Sequence, residues 1–247
     1  MTHPDRRTFI SHAFGAGALF AAAAPANAMT PGRVALPPKG HGAVLDEAYW
    51  GLVKESFPLS PGLVLMNAAN LCPSPFVVQE AVFEWTRDVD ADASFQNRAK
   101  FSSLQEASRE AVARHIGADV EEIALTRNTS EGNNTVVSGL DLTAGDEVIL
   151  WDQNHPTNST SWDEQASVEG FEVRRISTPP ASESPGELID AFRSAMTSRT
   201  KVLAFSHVSN ATGVRIPAAE LCGLARSRGI LTLLDGAQSC GALNMDM

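Results

Sequence analysis

Three cysteines, Cys72, Cys222 and Cys240, stand too far apart in a chain of 247 residues to form a disulfide framework or a tetrahedral zinc site. The six histidines include no pair at the i, i+4 spacing that sets two ligands on one helix face, so metal catalysis has no support in the sequence. Positive charge is short as well. With 19 Lys and Arg against 29 Asp and Glu, the formal charge is −10, which repels a phosphate backbone and argues against nucleic acid as a partner. What is present is ordinary for a globular protein: 43% hydrophobic residues and 18 glycines exclude disorder and collagen. At roughly 150 residues per domain, the length predicts one to two domains.

The N-terminus reads Asp5-Arg6-Arg7-Thr8-Phe9-Ile10, then an Ala/Gly-rich apolar run to Ala24, then Pro25-Ala26-Asn27-Ala28. A paired arginine ahead of a weakly apolar run, closed by an A-x-A signature, resembles a twin-arginine export signal over residues 1–28. The same stretch makes a poor membrane anchor, because it is rich in Gly and Ala and carries His12. The expectation is an exported, periplasmic protein that starts at Met29 and keeps no stable membrane anchor after cleavage.

Residues 29–63 read as an N-terminal leader and helix, the extended leader over 29–42 with Pro31, Pro37 and Pro38, and the helix over 45–56. Val64-Leu65-Met66 is a strand candidate. Pro75 opens a helix through Trp85, and Ala107, Ala111, Val112 and Ile116 recur at helical spacing, which predicts a helix over 104–116. Apolar runs at 123–125, 147–150, 202–205 and 230–234 are continuous rather than alternating, as in parallel strands covered on both faces. Helical segments at 132–140, 157–169, 187–196 and 217–228 supply the crossovers. The fold class is therefore α/β with a mostly parallel sheet, and chemistry belongs in the loops after the strands.

Four such loops carry polar residues. Thr126-Arg127-Asn128-Thr129-Ser130-Glu131-Gly132 enters a helix, where hydroxyls and free N–H groups at a positive dipole end suit a phosphate. Thr129 or Ser130 as an ordinary N-cap fits this segment equally well. The loop has neither the G-x-x-x-x-G-K-[ST] run nor the G-x-G-x-x-G run of nucleotide sites. Asp152-Gln153-Asn154-His155-Pro156-Thr157 presents an imidazole that can lie on an aromatic ligand or cap the next helix. Ser206-His207-Val208-Ser209-Asn210-Ala211-Thr212-Gly213 presents the Asn210 amide, which also suits a plain turn. Leu234-Asp235-Gly236-Ala237-Gln238 ends a strongly apolar run on a carboxylate, and a buried carboxylate needs a cation or several donors.

In order and spacing, T-R-N-T-S-E, N-H-P, S-H-V-S-N-x-x-G-x-x-x-P and L-D-G-A-Q together resemble the class V aminotransferases, a pyridoxal-phosphate family that includes cysteine desulfurases and isopenicillin N epimerase-like proteins. Met66-Asn67-Ala68-Ala69 and the segment 73–78 extend the resemblance over about 64–241. The resemblance implies the mostly parallel sheet of the fold-type I large domain over 64–247, and pyridoxal 5'-phosphate as cofactor. It implies that Asp235 pairs with the pyridine nitrogen and Gln238 donates to the phenolic oxygen. Thr129 and Ser130 would cradle the phosphate, His155 would stack on the ring, and Asn210 would face the phenolic oxygen or the substrate carboxylate. Intact relatives are expected to be homodimers acting on amino acids, by transamination, epimerisation or removal of sulfur, and the isopenicillin N epimerase-like branch is preferred.

One departure stands beside the match. The only lysines are Lys39, Lys54, Lys100 and Lys201, and none lies in a segment like the one from which family members bind the cofactor covalently. That segment, and the small domain with its substrate-binding arginine, would lie beyond Met247. The expectation is an incomplete large domain, inactive as it stands and prone to aggregate through an open sheet edge. The rival expectation is a noncatalytic protein that holds a cofactor or a phosphate without turnover.

Overall fold

Packing divides the chain into two units, residues 1–66 with 72–92, and residues 67–71 with 93–247. The computed structural model describes residues 47–68, 71–244 and 247. The expected export signal (1–28), the leader (29–42) and Ala69 of the Met66-Asn67-Ala68-Ala69 segment lie outside the described residues.

The first unit holds helices α1 (Glu47–Glu55) and α2 (Phe76–Ala91). Pro75 takes the N-cap position of α2 with φ −63° and ψ 155°, a geometry its ring favours, and the helix runs past Trp85. Ser56, 2% exposed, closes α1: its Oγ donates to the Leu52 carbonyl (3.0 Å), and its own carbonyl accepts from the Phe76 N–H (2.9 Å). The strand expected at Val64-Leu65-Met66 does not form, and all three residues are exposed. A three-residue apolar run gains nothing from extension without a neighbour to share ladder bonds.

The second unit contains helices α3 (Phe95–Arg98) and α4 (Lys100–Ile116), a 3-10 turn at Val120–Glu122, and helix α5 (Thr129–Ser138). There follow strand β1 (Glu147–Trp151), helix α6 (Pro156–Glu169), strand β2 (Glu172–Ile176), helix α7 (Pro185–Ala195), strand β3 (Thr200–Ser206), helix α8 (Ala218–Ser227) and strand β4 (Leu231–Asp235). The strands form one sheet in the order β2-β1-β3-β4, with every pairing parallel. The strand expected at 123–125 is absent. The Arg109 side chain instead donates to the carbonyls of Ile123 (2.9 Å) and of Val120 in the preceding turn (2.5 Å), and the first is an acceptor that a ladder would need.

The continuous apolar runs mean what a two-faced core requires. Ile149, Trp151, Leu203 and Phe205 point to one side, against Leu188 and Phe192 of α7 and Leu221 and Ala225 of α8. Val148, Leu150, Val202 and Ala204 point to the other, against Val137 of α5 and Trp162 of α6. This period-two division buries both faces of β1 and β3. At the amino end of β1, Glu147 is 1% exposed, and its carboxylate accepts from the Thr197 and Thr200 hydroxyls with Arg199 and Arg174 beyond. Charge and hydrogen bonds together answer its desolvation. Since β1 lies between β2 and β3, the strand order reverses beside it, and the loops after β1, β3 and β4 leave from one edge of the sheet. Among the described residues no helix is long and apolar enough to cross a membrane.

Candidate cofactor site at the carboxyl edge of the sheet

The helix start at α5 resolves an ambiguity in the sequence. Asn128, extended at φ −168° and ψ 170°, is the N-cap, and its Oδ1 accepts from the Glu131 N–H at 2.9 Å. Glu131 answers by accepting from the Arg127 N–H at 2.6 Å and from its guanidinium at 3.2 Å. Those two contacts, the side-chain one first, hold the Glu131 carboxyl below its ordinary value. With capping done by Asn128, Thr129 and Ser130 occupy the first two helical positions, where backbone N–H groups have no partner within the helix. Both residues line a cavity of about 300 Å³.

After β1 the chain turns away from β3, and the Asn154 side chain takes its place. Buried at 7% exposure, its Nδ2 donates to the Ala204 carbonyl (2.9 Å) and its Oδ1 accepts from the Ser206 N–H (2.7 Å), so an amide side chain continues the ladder as a peptide would. This anchors His155, which does two things at once: it lines the cavity, and it is the N-cap of α6. Its Nδ1 accepts from the Thr157 N–H (3.3 Å) and lies 2.8 Å from the Thr157 hydroxyl. A peptide N–H can only donate, so Nδ1 carries the lone pair and the proton sits on Nε2.

The loop after β3 is tied to the same place. Ser209 Oγ accepts from the Ala211 and Thr212 N–H groups and donates to the Gln153 carbonyl, and the Thr212 hydroxyl donates to Gln153 Oε1. Gly213 closes the turn at φ 76°, a conformation that glycine adopts without steric cost. Asn210, exposed at the tip, lines the cavity.

Asp235 ends β4 and is 5% exposed. Its Oδ1 accepts from the Ala237 N–H (3.0 Å), and its Oδ2 accepts from Asn133 Nδ2 (3.1 Å). Burial is thus answered by two neutral donors, and a negative charge is left at the cavity wall. Gln238, half-buried, donates to Asn67 Oδ1 at 3.4 Å. All six residues singled out from the sequence, Thr129, Ser130, His155, Asn210, Asp235 and Gln238, line this one cavity. Sequence reading missed Asn128, Thr157, Ser206, Val208 and Ala237 in the same lining, and Asn133 behind Asp235. Asn128, Thr157, Val208 and Ala237 stand one or two residues from a recognised side chain, and Ser206 opens the loop that carries Asn210 four residues on. Asn133 offered no such signal, since its partner is 102 residues away.

Fold and cavity define an α/β protein whose polar pocket lies at a topological switch point, with a helix N-terminus on one wall and a buried carboxylate on another. The chain belongs to the class V aminotransferase family: the sequence profile of Aminotransferase class-V matches residues 68–247. It is 35% identical over 202 residues to an isopenicillin N epimerase of Amycolatopsis lactamdurans, covering 80% of this chain and 50% of that protein. It is 32% identical over 203 residues to a probable cysteine desulfurase of Methanothermobacter thermautotrophicus, covering 79% and 48%. Among solved structures, a mutant of C-DES with glycine covalently linked to the PLP cofactor matches with a TM-score of 0.71 at 25% identity, covering 78% of this chain and 51% of that one. A cysteine desulfurase from Escherichia coli matches with a TM-score of 0.68 at 26% identity, covering 79% and 50%. The chain spans about half the length of the relatives it matches. The mostly parallel α/β architecture expected from the sequence is the one these structures share.

Proposed function

We propose that this chain binds pyridoxal 5'-phosphate at the carboxyl edge of its sheet and forms the cofactor-holding part of an enzyme acting on an amino acid. The observation that carries the reading is the placement of a buried, unneutralised Asp235 in the same cavity as the free helix start at Thr129 and Ser130. A phosphorylated heterocycle with a protonatable nitrogen offers matching charges at both ends. Thr129 and Ser130 hold the phosphate with hydroxyls and N–H groups, and Asp235 holds the ring nitrogen in its protonated form. His155 covers the ring face, Gln238 donates to the phenolic oxygen, and Asn210 orients that oxygen or the substrate carboxylate. The bound cofactor supplies an electron-poor ring that stabilises negative charge at the substrate α-carbon.

The epimerase-like branch is the preferred relative, supported by 35% and 34% identity to two isopenicillin N epimerases. Of the four lysines, Lys54, Lys100 and Lys201 are absent from the cavity lining, and Lys39 lies outside the described residues. On this reading none of the three described lysines bonds the cofactor, which the described residues hold through noncovalent contacts and without turnover. Export through the twin-arginine-type signal, and pairing of intact relatives as homodimers, belong to the same proposal.

Absorbance titration with pyridoxal 5'-phosphate tests it. The chain should develop a saturable visible band, borohydride treatment should leave no labelled lysine, and Asp235→Ala should weaken binding at least tenfold, about 1.4 kcal/mol. Equal affinity in the wild type and Asp235→Ala, or no saturable band, overturns the assignment.

A further inference from the structure

The Asp235 carboxylate is oriented from behind by a residue on the helix that begins the phosphate end of the cavity. Asn133 is 4% exposed, and its Nδ2 donates to Asp235 Oδ2 at 3.1 Å, while the Ala237 N–H holds Oδ1 at 3.0 Å. A carboxylate has two oxygens and about four acceptor directions, and this arrangement uses one on each oxygen, fixing the plane of the group. Thr129 and Asn133 are four residues apart in α5 and so share a helix face. One face of one helix thus lines the cavity through Thr129 and grips the carboxylate through Asn133.

We infer that Asn133 is a positioning residue that registers the Asp235 carboxylate against the helix start at Thr129 while leaving its charge uncancelled. This rests on the cofactor reading above. The side-chain type matters. A lysine or arginine at 133 would form an ion pair with Asp235 and compete with any cationic ring nitrogen for the same charge. A leucine of similar volume would leave the carboxylate held on one oxygen only, free to turn about its Cβ–Cγ bond. An amide gives a directed bond and no net charge, which suits a carboxylate whose own partner is a cation supplied by the ligand.

The test uses the whole chain and two readouts. In cofactor-free protein, Asn133→Leu should accelerate hydrogen exchange at the Ala237 amide roughly tenfold relative to amides within β4, because the acceptor at Oδ1 is no longer held. Asn133→Leu should also weaken pyridoxal 5'-phosphate binding about tenfold but leave competition by inorganic phosphate, which reads the Thr129 and Ser130 end, unchanged. Asn133→Ser, too short to reach Asp235, should reproduce both effects and stands in if the leucine variant does not fold. Unchanged Ala237 protection and unchanged affinity in a variant that merely melts earlier would reduce Asn133 to packing and overturn the inference. A wild-type chain that binds no pyridoxal 5'-phosphate would sink the cofactor reading and the ligand half of this inference. Unchanged Ala237 exchange with normal wild-type binding would sink the positioning role alone.

Discussion

Asn154, His207 and Asp235 follow one another across the carboxyl edge of the sheet, the first and last buried and His207 half-buried, and each polar group serves a different purpose. Asp235 keeps its charge for the cavity, and Asn154 spends both ends of its amide on β3. His207 has a buried Nδ1 with no hydrogen-bond partner, and burial, then the positive charge of Arg215, hold its imidazole below the ordinary 6.5. The unfolded chain therefore takes up this proton first as pH falls. The stability contributed by neutral His207 is complete above about pH 6.5 and is lost as pH drops through that value toward the lowered folded one. Melting temperatures measured from pH 7.5 to 5.5 should fall, and His207→Gln should flatten that slope; an identical slope in the variant refutes the assignment. Residue identity made Asp235 legible in the sequence, because a carboxylate ending an apolar run demands an explanation, whereas Gln238 was legible only through the family resemblance. His155 was read with two competing roles, and the geometry gives it the capping one while also setting it in the cavity lining.

At the scale of elements, helix ends decide where the site lies. Asn128 relieves Thr129 and Ser130 of capping duty, so Asn128→Ala should cost about 1 kcal/mol of stability, measured by denaturant unfolding. It should also weaken phosphate competition, since the freed first turn frays; retention of full affinity and stability would show that the cap is idle. The central strands were legible because both faces of β1 and β3 are covered, which leaves an unbroken apolar signature. Strand β2 was not read, because Glu172-Val173-Arg174-Arg175-Ile176 is charged at three of five positions. Such a sequence fits an edge strand, where Arg175 can pair with Asp163 at 2.6 Å and Arg174 can reach the Ala195 carbonyl. The stretch at 123–125 failed in the opposite sense, apolar enough for a strand but with the Ile123 carbonyl taken by Arg109.

For the molecule as a whole, the unevenness of the sheet matters most. β1 is buried at all five positions, whereas β4 is exposed at its first two, and Leu231 is 58% accessible. Among the described strands β4 pairs only with β3, so its outer edge presents unpaired backbone groups beside an exposed leucine. The chain alone should self-associate through this edge. Light scattering should show assemblies that grow with concentration, and Leu231→Lys should reduce them; a variant that assembles as readily as the wild type places the contact elsewhere. The family resemblance was legible as four loops in order, although the parallel sheet that gathers those loops into one cavity could be expected but not placed.

The central claim is that a charge kept dry at the end of β4 holds a protonated pyridine nitrogen. The most direct measurement is nitrogen NMR of ring-labelled pyridoxal 5'-phosphate bound to the chain at pH 8. The account predicts a pyridinium resonance in the wild type and a neutral-pyridine resonance, or no bound signal, in Asp235→Ala. A neutral ring nitrogen in the wild type, or the same protonated signal in both proteins, would contradict it.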